Sequence, residues 1–326
     1  MTELTRRDLL QGLAGAALAA AQPLQAAPDG VLRLLCSGPA GSIPDIVARA
    51  LSEPLALALG RRVIVDNRPG AAGQLSVGAL KAAPADGSTL LVAQGAIATV
   101  YPALYTHLAY DPDVDLKPVS LASEMPLALA VGPAVPSAVA TLADFIAWLR
   151  GHPAAANIGS PGAGTLPHLL EAMLFSEVGV AWQHVTYSGG PPAVNDLLGG
   201  QIAALVLPEG LLRQHHATGR LRVLATSGAA RSAYLPEVPT FAEQGHPGLV
   251  VKEWFAVFAP GGTPSNAVAG LAAALQTALG RPEIEAVFSK AGMTPLSCSP
   301  AALTARIGAE QRYWKPVLQA HGIRAD

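Results

Sequence analysis

Charge is scarce in this chain. Its 326 residues hold 21 Lys and Arg against 23 Asp and Glu, and charged residues make up only 13% of the total, against roughly 25% in an average soluble protein. There is no basic run and the net charge is −2, so the electrostatic footprint of a nucleic-acid binder is missing. Cysteine is nearly absent. Cys36 and Cys298 stand far apart with no Cys-x-x-Cys pair; one disulfide is the most they allow, and two unpaired small hydrophobes is the plainer reading. Catalytic motifs are missing too. There is no Gly-x-Ser-x-Gly elbow, no His-Glu-x-x-His, no P-loop and no Gly-x-Gly-x-x-Gly after a strand. Nothing therefore pairs a nucleophile with its base or offers a metal or cofactor site. The adjacent His215 and His216 would point in different directions on a helix and make a poor metal pair.

What is present is apolar residue and punctuation. Hydrophobic residues reach 51%, with 33 Gly and 28 Pro, enough for a large core cut by many turns. The length suggests about two domains. At the start, Thr5-Arg6-Arg7-Asp8-Leu9-Leu10 reads as a twin-arginine signature. It leads into an apolar segment over 9–21 that is too short to span a bilayer, then into an Ala-rich region with Gln25-Ala26-Ala27 that can be cleaved. We read 1–27 as an export signal for a bacterial periplasm and set it apart from the fold.

Two matched turns organise the rest. Gly41-Ser42-Ile43-Pro44-Asp45 is echoed by Gly164-Thr165-Leu166-Pro167-His168. Each follows a short apolar run and a small-residue turn, and each precedes an amphipathic pattern. The spacing predicts a strand, a Gly-rich turn and a helix start, with Ser42 and Thr165 as N-caps accepting from the third helical amide. Pro fits the first helical turn, where its missing N–H has no partner to lose. Asp45, three after Ser42, completes a capping-box pattern. Two helix N-termini facing one cleft would hold an anion without Lys or Arg, through free amides and the positive end of the helix dipole. Two ordinary strand-to-helix turns would carry the same residues.

Strand and helix alternate along the chain. Strands are expected at 31–36, 62–66 and 89–93, and helices at 45–59 and 73–83, with Gly60 ending the first helix. Residues 101–118, broken by Asp111-Pro112 and Lys117-Pro118, read as an ordered loop. The alternation resumes with a helix at 142–151 capped by Thr141 and Asp144, a strand at 156–159, a helix at 166–178, and further strands at 183–187, 202–207 and 221–226. Such βα repeats predict parallel sheets covered on both faces, with ligands at the carboxyl ends of the strands. Two long apolar runs, 121–131 with Pro126 inside it and 249–259, read as an outward and a return crossing between domains. The fold expected is α/β: two lobes in a venus-flytrap, type II-like periplasmic-binding-protein arrangement, with parallel-rich sheets flanked by helices and two crossing strands. Lobe 1 spans 28–125 and 256–326, and lobe 2 spans 126–255.

The chain from about Val31 onward resembles the Bug-type substrate-binding proteins of tripartite tricarboxylate transporters, also described as TctC-like. The likeness is carried by Pro39-Ala40-Gly41-Ser42 with Asp45-Ile46-Val47-Ala48-Arg49, by Asp66-Asn67-Arg68-Pro69-Gly70-Ala71-Ala72-Gly73, and by Ala85-Asp86-Gly87-Ser88-Thr89. Gly162-Ala163-Gly164-Thr165 with His168, Tyr187-Ser188-Gly189-Gly190-Pro191-Pro192, Leu235-Pro236-Glu237-Val238-Pro239 and Trp254-Phe255 with Ala259-Pro260 extend it. The resemblance implies a monomeric periplasmic receptor with no chemistry of its own. Its partners would be a small carboxylate ligand and the integral-membrane subunits of a transporter; a membrane sensor kinase would need the same cleft. Carried over residue by residue, the ligand contacts are Gly41, Ser42 and Asp45 from the first turn, and Ser160, Gly162, Gly164, Thr165 and His168 from the second, with Gln94, Gly95, Tyr187 and Gly189 at the sides. His168 reads more simply as a brace for its turn, and Asp45 as a cap. The chain departs from the family pattern at Gly38, Gln94, Ser188 and Leu207. These departures imply a less charged pocket, suited to one carboxylate on an apolar or amide-bearing body.

Overall fold

The computed structural model describes residues 30–325; the twin-arginine-type segment expected over 1–27 lies outside them. The first strand, β1 (Leu32–Cys36), is buried at four of its five positions because both faces of the sheet are covered there. A glycine-bearing turn leads into α1 (Ile43–Leu59), whose Val47, Leu51 and Leu55 repeat at helical spacing and pack into one core with Leu32, Leu34 and Cys36 of β1. Each such side chain is worth about 1.5–3 kcal/mol when buried. Gly60 ends α1 in the left-handed conformation, its amide returned to the Ala56 carbonyl, as a C-terminal glycine should. Strand β2 (Val63–Asn67), helix α2 (Gln74–Lys81) and strand β3 (Thr89–Gln94) follow, with β2 and β3 pairing parallel on either side of β1.

The loop expected over 101–118 is corrected. Three one-turn helices punctuate the segment 96–115: α3 (Ala96–Thr99) precedes the expected loop, and α4 (Tyr101–Leu104) and α5 (Pro112–Asp115) lie within it, with no helix over 105–111. Asp111-Pro112 reads as a break, yet it is also a cap followed by a proline at N1, and the Asp111 carboxylate does accept from the Asp113 amide. Strand β4 (Leu116–Val131) then starts five residues before the expected crossing and runs for 16 residues. Its pairing register slips between Pro118 and Ser120 and again between Leu121 and Ser123, which is how a strand carries proline in its interior.

The second run of alternation begins with α6 (Leu142–Gly151). Thr141 and Asp144 form the expected capping box. Strand β5 (Asn157–Ser160), helix α7 (Leu166–Val178), strand β6 (Gln183–Thr186), helix α8 (Gly190–Leu198), strand β7 (Ala204–Pro208), helix α9 (Gly210–Ala217) and strand β8 (Arg222–Thr226) succeed one another. Strands β6 and β7 pair parallel to β5 on either side. Strand β9 (Lys252–Pro260) is the return crossing, and α10 (Ser265–Leu279), α11 (Pro282–Lys290), the short β10 (Thr294–Pro295) and α12 (Pro300–Ala320) close the described chain.

The strands join in one curled sheet, ordered β2-β1-β3-β9-β4-β7-β5-β6, with β8 and β10 also pairing β4. Both runs of alternation are parallel within themselves, as expected. The two crossing strands are not: β9 pairs antiparallel to β3 and to β4, and β4 antiparallel to β7 and β8. The fold is therefore mixed α/β, parallel at both ends and antiparallel where the long strands cross. Cys36 and Cys298 are both free.

Candidate functional site

The carboxyl ends of β1, β3, β5, β6 and β7 converge on one cavity of about 480 Å³, where an α/β sheet is expected to hold a ligand. Residues of the turns after β1 and β5 both line it; the β5 turn packs against Ala72, Leu104 and Tyr105, and the β1 turn, through Pro39, against Gly189. Gly162 comes so close to Ala72 that a Cβ on it would sit 2.9 Å from the Ala72 Cβ, and a Cβ on Gly164, at φ +80°, would run into Leu104. The Tyr105 hydroxyl donates across the gap to the Ala163 carbonyl at 2.9 Å. At Gly162 an added Cβ would also come within 3.2 Å of the Ala72 Cα, so glycine is what lets the chain pass there.

Of the twelve residues carried over from the sequence, Ser42, Gln94, Thr165, Tyr187 and Gly189 line the cavity. The other seven do not line it: six stand behind its wall and Gly41 is exposed. Asp45, 3% exposed, accepts from the Gly41 amide at 2.9 Å, from Asn67 Nδ2 at 2.9 Å and from Arg49 Nε at 2.9 Å. Burial pushes its carboxyl up, but the bonds from Arg49, Gly41 and Asn67 outweigh it and hold the pKa below the usual range. His168 Nδ1 accepts from the Gly164 amide at 3.1 Å, so its proton sits on Nε2. Its ring stacks on His184 at 4.0 Å, and burial, then the neighbouring His184, depress its pKa to about 3. It braces the turn. Ser160 Oγ lies 2.7 Å from His184 Nε2 and donates to the Gly162 carbonyl at 3.2 Å. Gly95 is packed under the Trp254 indole, its amide bonded to the Trp254 carbonyl at 2.9 Å.

The cap expectation needs correction. Ser42 and Thr165 do occupy the N-cap positions of α1 and α7, but neither side chain caps its helix. Ser42 Oγ donates to the Pro39 carbonyl at 2.6 Å and Thr165 Oγ1 to the Gly162 carbonyl at 2.7 Å. Each hydroxyl turns back to tighten its own Gly-rich turn. Asp45 correspondingly takes the Gly41 amide, where a capping box would take that of Ser42. The same shift in both copies leaves the first-turn amides of α1 and α7 without the side-chain acceptor that caps most helices. Pro44 and Pro167, in those same turns, line the cavity.

Gln94 lines the cavity with its amide already committed. Its Oε1 accepts from Ser37 Oγ at 2.8 Å and its Nε2 donates to the Ala72 carbonyl at 2.6 Å. The Tyr101 hydroxyl donates to that same carbonyl at 2.7 Å. They hold the segment 70–73, in which Ala71 and Ala72 both have positive φ, 45° and 52°. Two consecutive non-glycine residues there cost about 1–2 kcal/mol each. Tyr187 offers its ring, since its hydroxyl donates to Asp196 Oδ2 at 2.9 Å.

Sequence reasoning missed part of the wall. Gly73 and Gln74 are expected in a helix, Tyr105 in a loop, and Glu253 and Phe255 in a crossing strand, and residues 70–72 carry no site expectation; all line the cavity. Positive φ at alanine has no sequence signature, and Tyr105 reaches the site from the end of α4, a one-turn helix too short to leave a periodic pattern. Arg68, just before the segment 70–73, pairs with Asp66. Among the described residues, none of those lining the cavity is Lys, Arg or His.

Comparison with known proteins follows the same lines. Residues 47–323 match the tripartite tricarboxylate transporter family receptors. Protein BugT of Bordetella pertussis is 32% identical over 313 residues, covering 96% of this chain and 95% of BugT. A Rhodopseudomonas palustris protein solved with adipate superposes at a TM-score of 0.86 with 29% identity, over 91% of this chain and 99% of that one. MatC from the same organism, solved with bound malate, gives 0.84 and 28% over 89% and 99%. The chain belongs to the tripartite tricarboxylate transporter receptor family, whose members are periplasmic solute-binding proteins and not enzymes.

Proposed function

We propose that this protein captures a small carboxylate-bearing molecule between two lobes and delivers it to the membrane subunits of a tripartite tricarboxylate-type transporter. The observation that carries the reading is the pair of tightened Gly-rich turns, each running into an uncapped helix N-terminus at the edge of one cavity that no basic side chain lines. An anion there is met by main-chain amides and the positive ends of two helix dipoles. Adipate and malate in the solved relatives support a carboxylate as the group recognised.

The residues proposed to touch ligand are Ser42 and Thr165 through the main chain of their turns, with Tyr187, Gly189 and Gln94 forming the sides. Gly41, Asp45, Gly95, Ser160, Gly162, Gly164 and His168 shape those turns. The lobes we propose are 28–125 with 256–326, and 126–255, hinged where β4 and β9 cross. Ligand touches both only when they are closed, so it stabilises the closed form by its extra contacts. A thermal-shift panel of small mono- and dicarboxylates tests the reading. A binder at 100 times its Kd adds about 2.7 kcal/mol, a readily measured rise in melting temperature. A panel in which uncharged analogues shift the protein as much as the acids contradicts it.

A further inference from the structure

Glu253 is the one acidic side chain among the residues lining the cavity, and the anion-binding turns have no use for it. It sits on β9, where strand alternation turns Glu253 and Phe255 toward the cavity. Trp254 turns the other way and donates its indole N–H to Glu310 at 2.9 Å. Glu253 is only 3% exposed, and its Oε1 is buried with no hydrogen-bond partner. A buried carboxyl oxygen left unpaired is costly, and one that borders a ligand cavity can be satisfied by the ligand. Around it, Glu310 of α12 and Tyr101 of α4 are the titratable groups that act on it. Burial, then the Glu310 carboxylate, push its pKa up to about 8, so a second anion placed beside it would meet either a like charge or an acid able to donate only once.

We propose that Glu253 determines specificity, by accepting from a ligand N–H group — an ammonium or a carboxamide — carried at the end of the molecule away from the carboxylate. This deepens the reading above and rests on it. A second carboxylate gains at most one hydrogen bond from a protonated Glu253 and meets a like charge once it ionises, whereas one carboxylate and one N–H donor complete both ends.

Titration calorimetry with three probes of similar length tests this: glutarate, glutaramate and 5-aminopentanoate. The wild-type protein is expected to bind at least one of the two N–H-bearing probes ten times more tightly than glutarate. Glu253→Gln keeps an acceptor but no charge. It should retain a preference for glutaramate if the carboxamide is the natural group, and lose the preference for 5-aminopentanoate if the ammonium is. Glu253→Met removes the unpaired polar atoms at similar volume, so the variant should fold, and it should bring all three probes within threefold of one another. Glutarate binding as tightly as both others to the wild type, or an undiminished preference in Glu253→Met, overturns the role of Glu253 while leaving carboxylate capture standing. Binding of none of the three overturns both.

Discussion

Thr165 illustrates how a residue can be rightly placed and wrongly explained. Its position at the head of α7, after a Gly-rich turn, is legible in the sequence; the direction of its hydroxyl is not. The only hydroxyl proton goes to the Gly162 carbonyl, so it has none to give a ligand while the turn keeps its shape. Thr165→Ala is therefore expected to cost about 1 kcal/mol of stability, the worth of one hydrogen bond, and to weaken ligand binding at least tenfold by loosening the turn; Thr165→Ser should restore both. Urea unfolding and calorimetry on the two variants check this. The histidines behind the same turn make a second prediction. His168 and His184 are held near pKa 3 and 4, by burial in each case and for His168 also by its neighbour, below the usual value of about 6.5. The unfolded chain then binds more protons than the folded one as pH drops below 6.5, so stability is lost through the window from 6.5 toward 3. The unfolding midpoint should fall across that window. His168→Gln, which can still accept the Gly164 amide, should flatten the fall, and an unchanged slope in the variant would contradict the assignment.

Among the elements, those with strong local signals were legible and those built by tertiary contact were not. The helices α1 and α7, their leading strands and the Thr141–Asp144 capping box follow from apolar spacing and capping residues. Segment 70–73 does not, because its two left-handed alanines are held by Gln94 and Tyr101 from distant elements. The sixteen-residue β4 was likewise truncated in the reading because bulges let it carry Pro118, which sequence alone takes as a stop. Gln94→Leu tests the held segment. It removes the bonds to the Ala72 carbonyl and to Ser37, and leaves a half-buried carbonyl with one donor where there were two. The variant should lose about 1–3 kcal/mol and show faster amide hydrogen exchange confined to 71–74. Exchange rates there equal to wild type would mean the segment holds itself.

Across the whole molecule, the family and the mixed α/β fold were readable from the order of motifs spread along the chain. One cavity shared by the two turns was also offered by the sequence; what the β5 turn meets across it was not. That depends on glycines meeting Ala72 and Leu104 from the far side of a cavity, and on a tyrosine hydroxyl reaching Ala163. The account comes down to a negatively charged group gripped by peptide amides. Its most direct test is a calorimetric titration of glutaramate against its methyl ester, which keeps the carboxamide and replaces the charged carboxylate with an uncharged ester one methyl larger. The account predicts that the ester binds at least a hundredfold more weakly; an ester that binds as tightly as the acid would contradict it.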